Sequence, residues 1–86
     1  MRYKVYWTGT AVSDLKRLGR GVAERIVDAV EEASLNPFRY FKKLKSVPLY
    51  SLRVGDCRVI ASLDHSKHSI RVLAVERRKK AYKGIK

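Results

Sequence analysis

Cysteine is almost missing from this chain: Cys57 is the single one among 86 residues. No internal disulfide can form, and the cysteine framework by which small secreted domains compensate for a thin core is excluded. Apolar runs are short, so no segment reads as a membrane span, and the opening MRYKVYW lacks the apolar core of a signal peptide. The expected location is the cytoplasm, with no membrane partner. Internal repeats and long linkers are missing too, which leaves residues 1–86 as one small domain. Acidic side chains are scarce: eight Asp and Glu stand against twenty Lys and Arg, for a net charge of +12.

That charge is unevenly shared. Residues 1–35 hold six basic and five acidic side chains, whereas residues 36–86 hold fourteen and three. A solubilising surface mixes signs, while a one-sided excess repels itself and opposes compaction. The excess calls for a polyanionic partner: nucleic acid, an acidic protein segment or an anionic membrane. Charge alone does not choose among them. Hydrophobic content of 45% is ordinary for a folded domain and argues against disorder.

RYKVYW alternates, with Tyr3, Val5 and Trp7 on one face, and reads as a strand. The period then changes: Thr10 is a candidate N-cap, and Ala11, Leu15 and Leu18 make a narrow helical stripe. GRG at residues 19–21 breaks that helix, and Val22, Ile26, Val30 and Ala33 resume the spacing until Asn36-Pro37. A basic loop follows over residues 36–48.

Three alternating runs, LYSLRV, CRVIASLD and SIRVLAV, complete the chain. Gly55-Asp56 suits a two-residue hairpin turn with Gly in its first, positive-φ position. That turn pairs Leu52 with Val59 and Tyr50 with Ala61. A four-residue loop over residues 65–68 pairs Leu63 with Ile70, Ala61 with Val72 and Val59 with Ala74. Both registers gather the apolar residues on one face, and a slip by one residue scrambles them. The expected architecture is α+β, in the order β-α-α-β-β-β, with a two-helix hairpin packed on one face of a small antiparallel sheet.

The other face carries the chemistry. Arg53 falls opposite Arg58, a like-charge pairing that costs a sheet roughly 0.2–1 kcal/mol. Arg58 in turn is expected to face Val75, just before the basic run Arg77, Arg78, Lys79 and Lys80. One arginine on a solvated face merely snorkels into water. Several converging at one edge of the sheet make planar, permanently charged forks suited to phosphate oxygens. Tyr82 follows Arg78 by four residues and shares its face if the tail is helical. There it can stack on a base, move a proton, or simply tuck against the core. Lys42, Lys43 and Lys45, interleaved with Tyr40 and Phe41, form a second basic stretch, although those aromatics read equally as anchors of the loop. His65 and His68 read as turn residues rather than zinc ligands, and Cys57 as a small core residue rather than a nucleophile.

These residues resemble the RelE toxins of toxin–antitoxin pairs over essentially the whole chain. The resemblance rests on WTGTAVSDLKRL, NPFRYFKKLK, YSLRVGDCRVI and VLAVERRKKAYK. It implies an endoribonuclease that works without a metal or other cofactor, enters the ribosomal A site and cuts messenger RNA there. A RelB-like antitoxin would hold it inactive; the toxin alone would be a monomer, and a hetero-oligomer with its antitoxin. By position, Arg58 looks like the phosphate-holding hairpin arginine and Arg78 like the arginine after the last strand. Tyr82 looks like the tyrosine that stacks on or helps activate the nucleotide. Arg53 stands where relatives often carry lysine, and Ser51 where some have a second one. Lys42, Lys43, Lys45, Arg77, Lys79, Lys80 and Lys83 match basic positions expected to meet RNA. Glu76 replaces a frequent glycine. Strict alternation past Val75 aims Arg77 at Arg58's face, whereas the resemblance favours Arg78. ParE-like toxins, which share the architecture but bind gyrase, and an RNA-binding module without chemistry are the alternatives.

Overall fold

The computed structural model describes residues 2–77. The chain runs β1 (Lys4–Trp7), α1 (Gly9–Leu18), α2 (Arg20–Ala33), the one-turn α3 (Pro37–Tyr40), β2 (Lys42–Lys43), β3 (Tyr50–Val54), β4 (Cys57–Asp64) and β5 (Ser69–Arg77). The strands form one sheet in the order β1-β5-β4-β3-β2. The α+β class and the helical hairpin over one sheet face are as expected. Two details differ. The sheet is mixed, because β1 pairs in parallel with β5, and the basic loop contributes both α3 and the short edge strand β2.

The helices begin and end for local reasons. Thr8, not Thr10, caps α1: its Oγ1 accepts the Ala11 N–H at 3.2 Å. The same hydroxyl donates to the Val72 carbonyl at 2.9 Å, so one side chain starts the helix and ties it to the sheet. Thr10 has no such strand beside it. Gly19, at φ 97° and ψ 155°, takes the extended positive-φ conformation that turns α1 into α2, which an L side chain would resist. Pro37 opens α3, where its missing N–H costs nothing.

Ile26, Val30 and Ala33 of α2 and Ala11 of α1 are buried against Leu52, Cys57, Val59, Ala61, Ile70, Val72 and Val75 of the sheet. Each fully buried Val or Ile contributes about 1.5–3 kcal/mol, which makes this layer the main source of stability. Cys57 is a core residue, as its alternation suggests.

The β3–β4 register is the expected one, with Leu52 against Val59, Tyr50 against Ala61, and Gly55 at φ 61°. The β4–β5 register holds for only part of its length. Leu63 faces Ile70 and Ala61 faces Val72, but Ile60 then faces Ala74 and Val59 faces Val75 instead of Ala74. Leu73 is the extra residue of a β-bulge. Without it, Ala74 and Glu76 would enter the helix-covered face and Val75 would leave it. Burying an unpaired carboxylate costs several kcal/mol, far more than one irregular pairing. The bulge therefore keeps Val75 buried, at 4% exposure, and Glu76 in solvent.

Bulging leaves the Val75 N–H without a ladder partner, and α1 supplies one. Asp14 is buried, and its Oδ2 accepts that N–H at 2.9 Å. Its other oxygen takes a hydrogen bond from Arg17 Nη2. A carboxylate on the apolar stripe of α1 thus fastens the helix to the point where β5 changes phase.

Candidate functional site

Alternation assigns the uncovered face of the sheet. On it lie Ser51 and Arg53 of β3, Arg58, Ile60 and Ser62 of β4, and Arg71, Ala74 and Glu76 of β5. Lys42 of β2 pairs with Ser51 and shares that face, whereas Lys43 pairs with Tyr50 on the helical side. Lys45 is exposed in the loop between β2 and β3. The expected pairing of Arg53 with Arg58 is present; Arg53 is exposed and Arg58 half-buried. Directly opposed Cα atoms in an antiparallel sheet lie about 4.5–5.5 Å apart, so both guanidinium groups can reach one phosphate.

The neighbour of Arg58 on the far side is Glu76, not Val75. The bulge makes the difference, advancing β5 by one residue. One row across the strands therefore reads Glu76, Arg58, Arg53. The same shift places Arg77 opposite Cys57, on the helical side, where its Nε lies 3.8 Å from Asp56 Oδ2. Arg77 is thus not brought to the face that Arg53 and Arg58 share. Arg78, Lys79, Lys80, Tyr82 and Lys83 lie outside the described residues. Among the described residues, the ion pairs are Arg2–Glu31, Arg17–Asp14 and Arg77–Asp56, and none draws on Arg53, Arg58 or Glu76.

The far end of the sheet has another character. Tyr3, Phe38, Tyr50, His65 and His68 form an edge-on aromatic cluster, with the Tyr3 hydroxyl 3.0 Å from His65 Nδ1. Both histidines belong to the turn after β4, as expected, with His68 at φ 51°. That turn is anchored by Asp64, whose carboxylate accepts the Lys67 N–H at 3.1 Å and the Ser66 hydroxyl at 2.9 Å. Those two bonds, the Lys67 N–H first, hold the Asp64 carboxyl below its ordinary range. Of the loop aromatics, Phe41 is a core anchor, while Tyr40 stays half-exposed beside Arg39.

Sequence reasoning missed two groups. Asp14 could have been noticed as a carboxylate three residues from Ala11 and four from Leu18, within the stripe that packs on the sheet. Glu76 was visible as a residue, but its place beside Arg58 follows only from the bulge.

A helical layer on one side of the sheet and a row of Glu76, Arg58 and Arg53 on the other define a small α+β domain. Known proteins sharpen this. The model of the family described as ParE toxin of type II toxin–antitoxin system, parDE, matches residues 5–82. The curated Toxin RelE of Mycobacterium tuberculosis (strain ATCC 25618 / H37Rv) is 36% identical over 84 residues, covering 94% of this chain and 87% of that protein. Among solved structures, the toxin–antitoxin complex RelBE2 from Mycobacterium tuberculosis matches with a TM-score of 0.84 at 28% identity, over 91% of this chain and 100% of the matched chain. The archaeal RelE–RelB complex from Pyrococcus horikoshii OT3 gives 0.76 at 26% identity, over 91% and 97%. The chain belongs to the RelE/ParE superfamily of type II toxins. Within it, the chain is RelE-like.

Proposed function

We propose that this chain is a ribosome-dependent endoribonuclease that cuts messenger RNA in the A site and so arrests translation. The ribose 2′-OH attacks the adjacent phosphorus, the bond to the 5′ oxygen breaks, and the products carry a cyclic phosphate and a free 5′-OH. The pairing of Arg58 with Arg53 on the uncovered face carries this reading, because two permanent cations side by side suit the charge that gathers on a phosphate. Arg58 is the principal phosphate ligand. Arg53 stabilises charge but, with a guanidinium pKa above about 12, exchanges no proton. The phase shift in β5 takes Arg77 away from that face, and the family resemblance favours the next position, Arg78, as the third cation. Tyr82 is the stacking or proton-transfer residue on the same ground. Lys42, Lys43 and Lys45, with the basic residues of the tail, meet ribosomal RNA.

A RelB-like antitoxin, as in the complexes of the relatives, silences the toxin by covering the cationic face. The ribosome as site of action makes the protein cytoplasmic. The test is expression without antitoxin, with mapping of transcript 5′ ends. New ends within translated codons are expected, and a 2′-deoxynucleotide at the cut position of a defined message should block cleavage. The family model is named for ParE, which gives the alternative of a gyrase poison. Growth arrest with intact messages and damaged DNA would decide for that alternative.

A further inference from the structure

We propose that Glu76 is the general base of this site, taking the proton from the ribose 2′-OH while Arg58 and Arg53 hold the scissile phosphate. The inference rests on the ribonuclease reading above and adds to it a carboxylate placed to serve as the base. Arginine cannot do so, and among the described residues Glu76 is the only carboxylate in the Arg58 row. Asp64 lies six residues further along β4, about 20 Å away at the rise of a strand, and is engaged by its own turn. Asp56 lies in the β3–β4 turn and pairs with Arg77.

Geometry favours the assignment. Glu76 and Arg58 are cross-strand partners, and Arg58 and Arg53 are partners on the next pair of strands. Neighbouring strands are about 4.8 Å apart, so the row steps from base to phosphate ligand to second cation over roughly 10 Å. A ribose with its 3′-phosphate fits along such a row, its 2′-oxygen toward Glu76 and its phosphate oxygens toward the arginines. Among the described residues no strand lies on the other flank of Glu76: β1 pairs with β5 from Ser69 to Val72. The charged groups facing Glu76 across the sheet are thus Arg58 and, beyond it, Arg53, while Arg77 beside it is turned to Asp56 on the opposite side.

The step balances simply. Glu76 accepts the 2′-OH proton as the 2′-oxygen bonds to phosphorus. The 5′-oxygen leaves on the opposite side with the bonding electron pair and takes a proton from water. Glu76 then returns its proton to solvent. The arginines neutralise the charge that gathers on the non-bridging oxygens.

A carboxylate opposite an arginine also has a plain use, as its charge partner in the sheet. Glu76→Gln, Glu76→Asp and the parent chain separate the two roles in single-turnover cleavage on programmed ribosomes at neutral pH, with ribosome association and thermal melting measured alongside. A general base predicts a rate loss of roughly 10²–10⁴-fold in the Gln variant, with association nearly unchanged. The rate should partly return in Asp, which restores a carboxylate at that place. A Gln variant within about threefold of the parent, or an Asp variant no faster than Gln, overturns the assignment and leaves Glu76 a charge partner. A parent chain that cleaves nothing overturns the ribonuclease reading itself, which is a different result.

Discussion

Replacing Asp14 tests the link between the helical layer and the phase of β5. Asp14→Ala removes the acceptor of the Val75 N–H, a 2.9 Å bond in the buried layer, and leaves that donor unpaired. An orphaned buried donor costs about 1–3 kcal/mol. The lost pair with Arg17 adds little, since the Arg17 side chain is 71% exposed and such pairs contribute about 0–1 kcal/mol. The expected loss is therefore about 1–4 kcal/mol, which for a domain of this size lowers Tm by roughly 5–30 °C. Asp14→Asn keeps an oxygen of the same shape at the same place and should lose under about 1 kcal/mol. Thermal and urea unfolding measure both, and amide exchange at Val75 gives the local readout: much faster in Ala, little changed in Asn. If Ala melts within about 2 °C of the parent, or Asn falls as far as Ala, the bond to Val75 is not what fastens the strand.

Arg58→Ala should abolish growth arrest while leaving the melting temperature nearly unchanged, because relief of the opposed Arg53 and loss of the facing Glu76, each roughly 0.2–1 kcal/mol, offset one another; full toxicity at equal expression would refute its role. The antitoxin complex should weaken as salt rises, since part of the attraction is exposed charge, and titration of affinity between about 0.05 and 0.5 M salt measures this. A complex insensitive to salt, or one whose antitoxin leaves Arg53 and Arg58 open, would refute a cationic docking face. For Asp64 the sign follows from a carboxyl held lower in the folded chain than in the unfolded one. Its contribution is complete above the ordinary carboxylate range and is lost as pH falls through the lowered folded value. Asp64→Asn should therefore melt below the parent at neutral pH, with the gap closing as pH falls below the ordinary carboxylate range; a gap independent of pH refutes the ionised anchor.

Much of the sheet was legible because its turns are local. Gly55-Asp56 sets the register of β3 on β4, and alternation within each run does the rest, so the facing arginines followed from short-range pattern alone. The bulge did not, since IRVLAVER alternates smoothly through Ala74 and betrays the break only by the clash it would otherwise cause at Glu76. The parallel pairing of β1 was hidden for another reason: nothing local in RYKVYW encodes which strand it will lie beside. Thr8 and Thr10 offer the same hydroxyl two residues apart, and the carbonyl of Val72, distant in sequence, selects Thr8. What lay in nearest neighbours could be read, and what depended on a partner sixty residues away could not.

Stability alone would not produce the uncovered face. Opposed arginines cost free energy, and the remedy is near at hand, for any neutral residue at position 53 or 58 would remove the repulsion. Of the acidic residues that could offset it, Glu24, Asp28, Glu31 and Glu32 lie in α2 on the opposite side of the sheet, Asp14 holds Val75, Asp56 pairs with Arg77, and Asp64 is engaged by its own turn. Only Glu76 stands among the cations, and it partners one of two. Sites that break a local rule without local compensation are where function is expected. On the proposed reading, compensation comes from outside, in two forms that require the same thing. The phosphates of a message neutralise the row when the toxin acts, and an acidic antitoxin segment neutralises it when the toxin is held. Two polyanions that need the same cations cannot occupy them together. Inhibition then needs no distortion of the toxin, only occupancy. Its strength is bound to that of RNA binding, because both draw on Arg53 and Arg58. Arg53→Ala should consequently weaken antitoxin and message together, and a variant that lost one while keeping the other in full would show that the two rest on different residues.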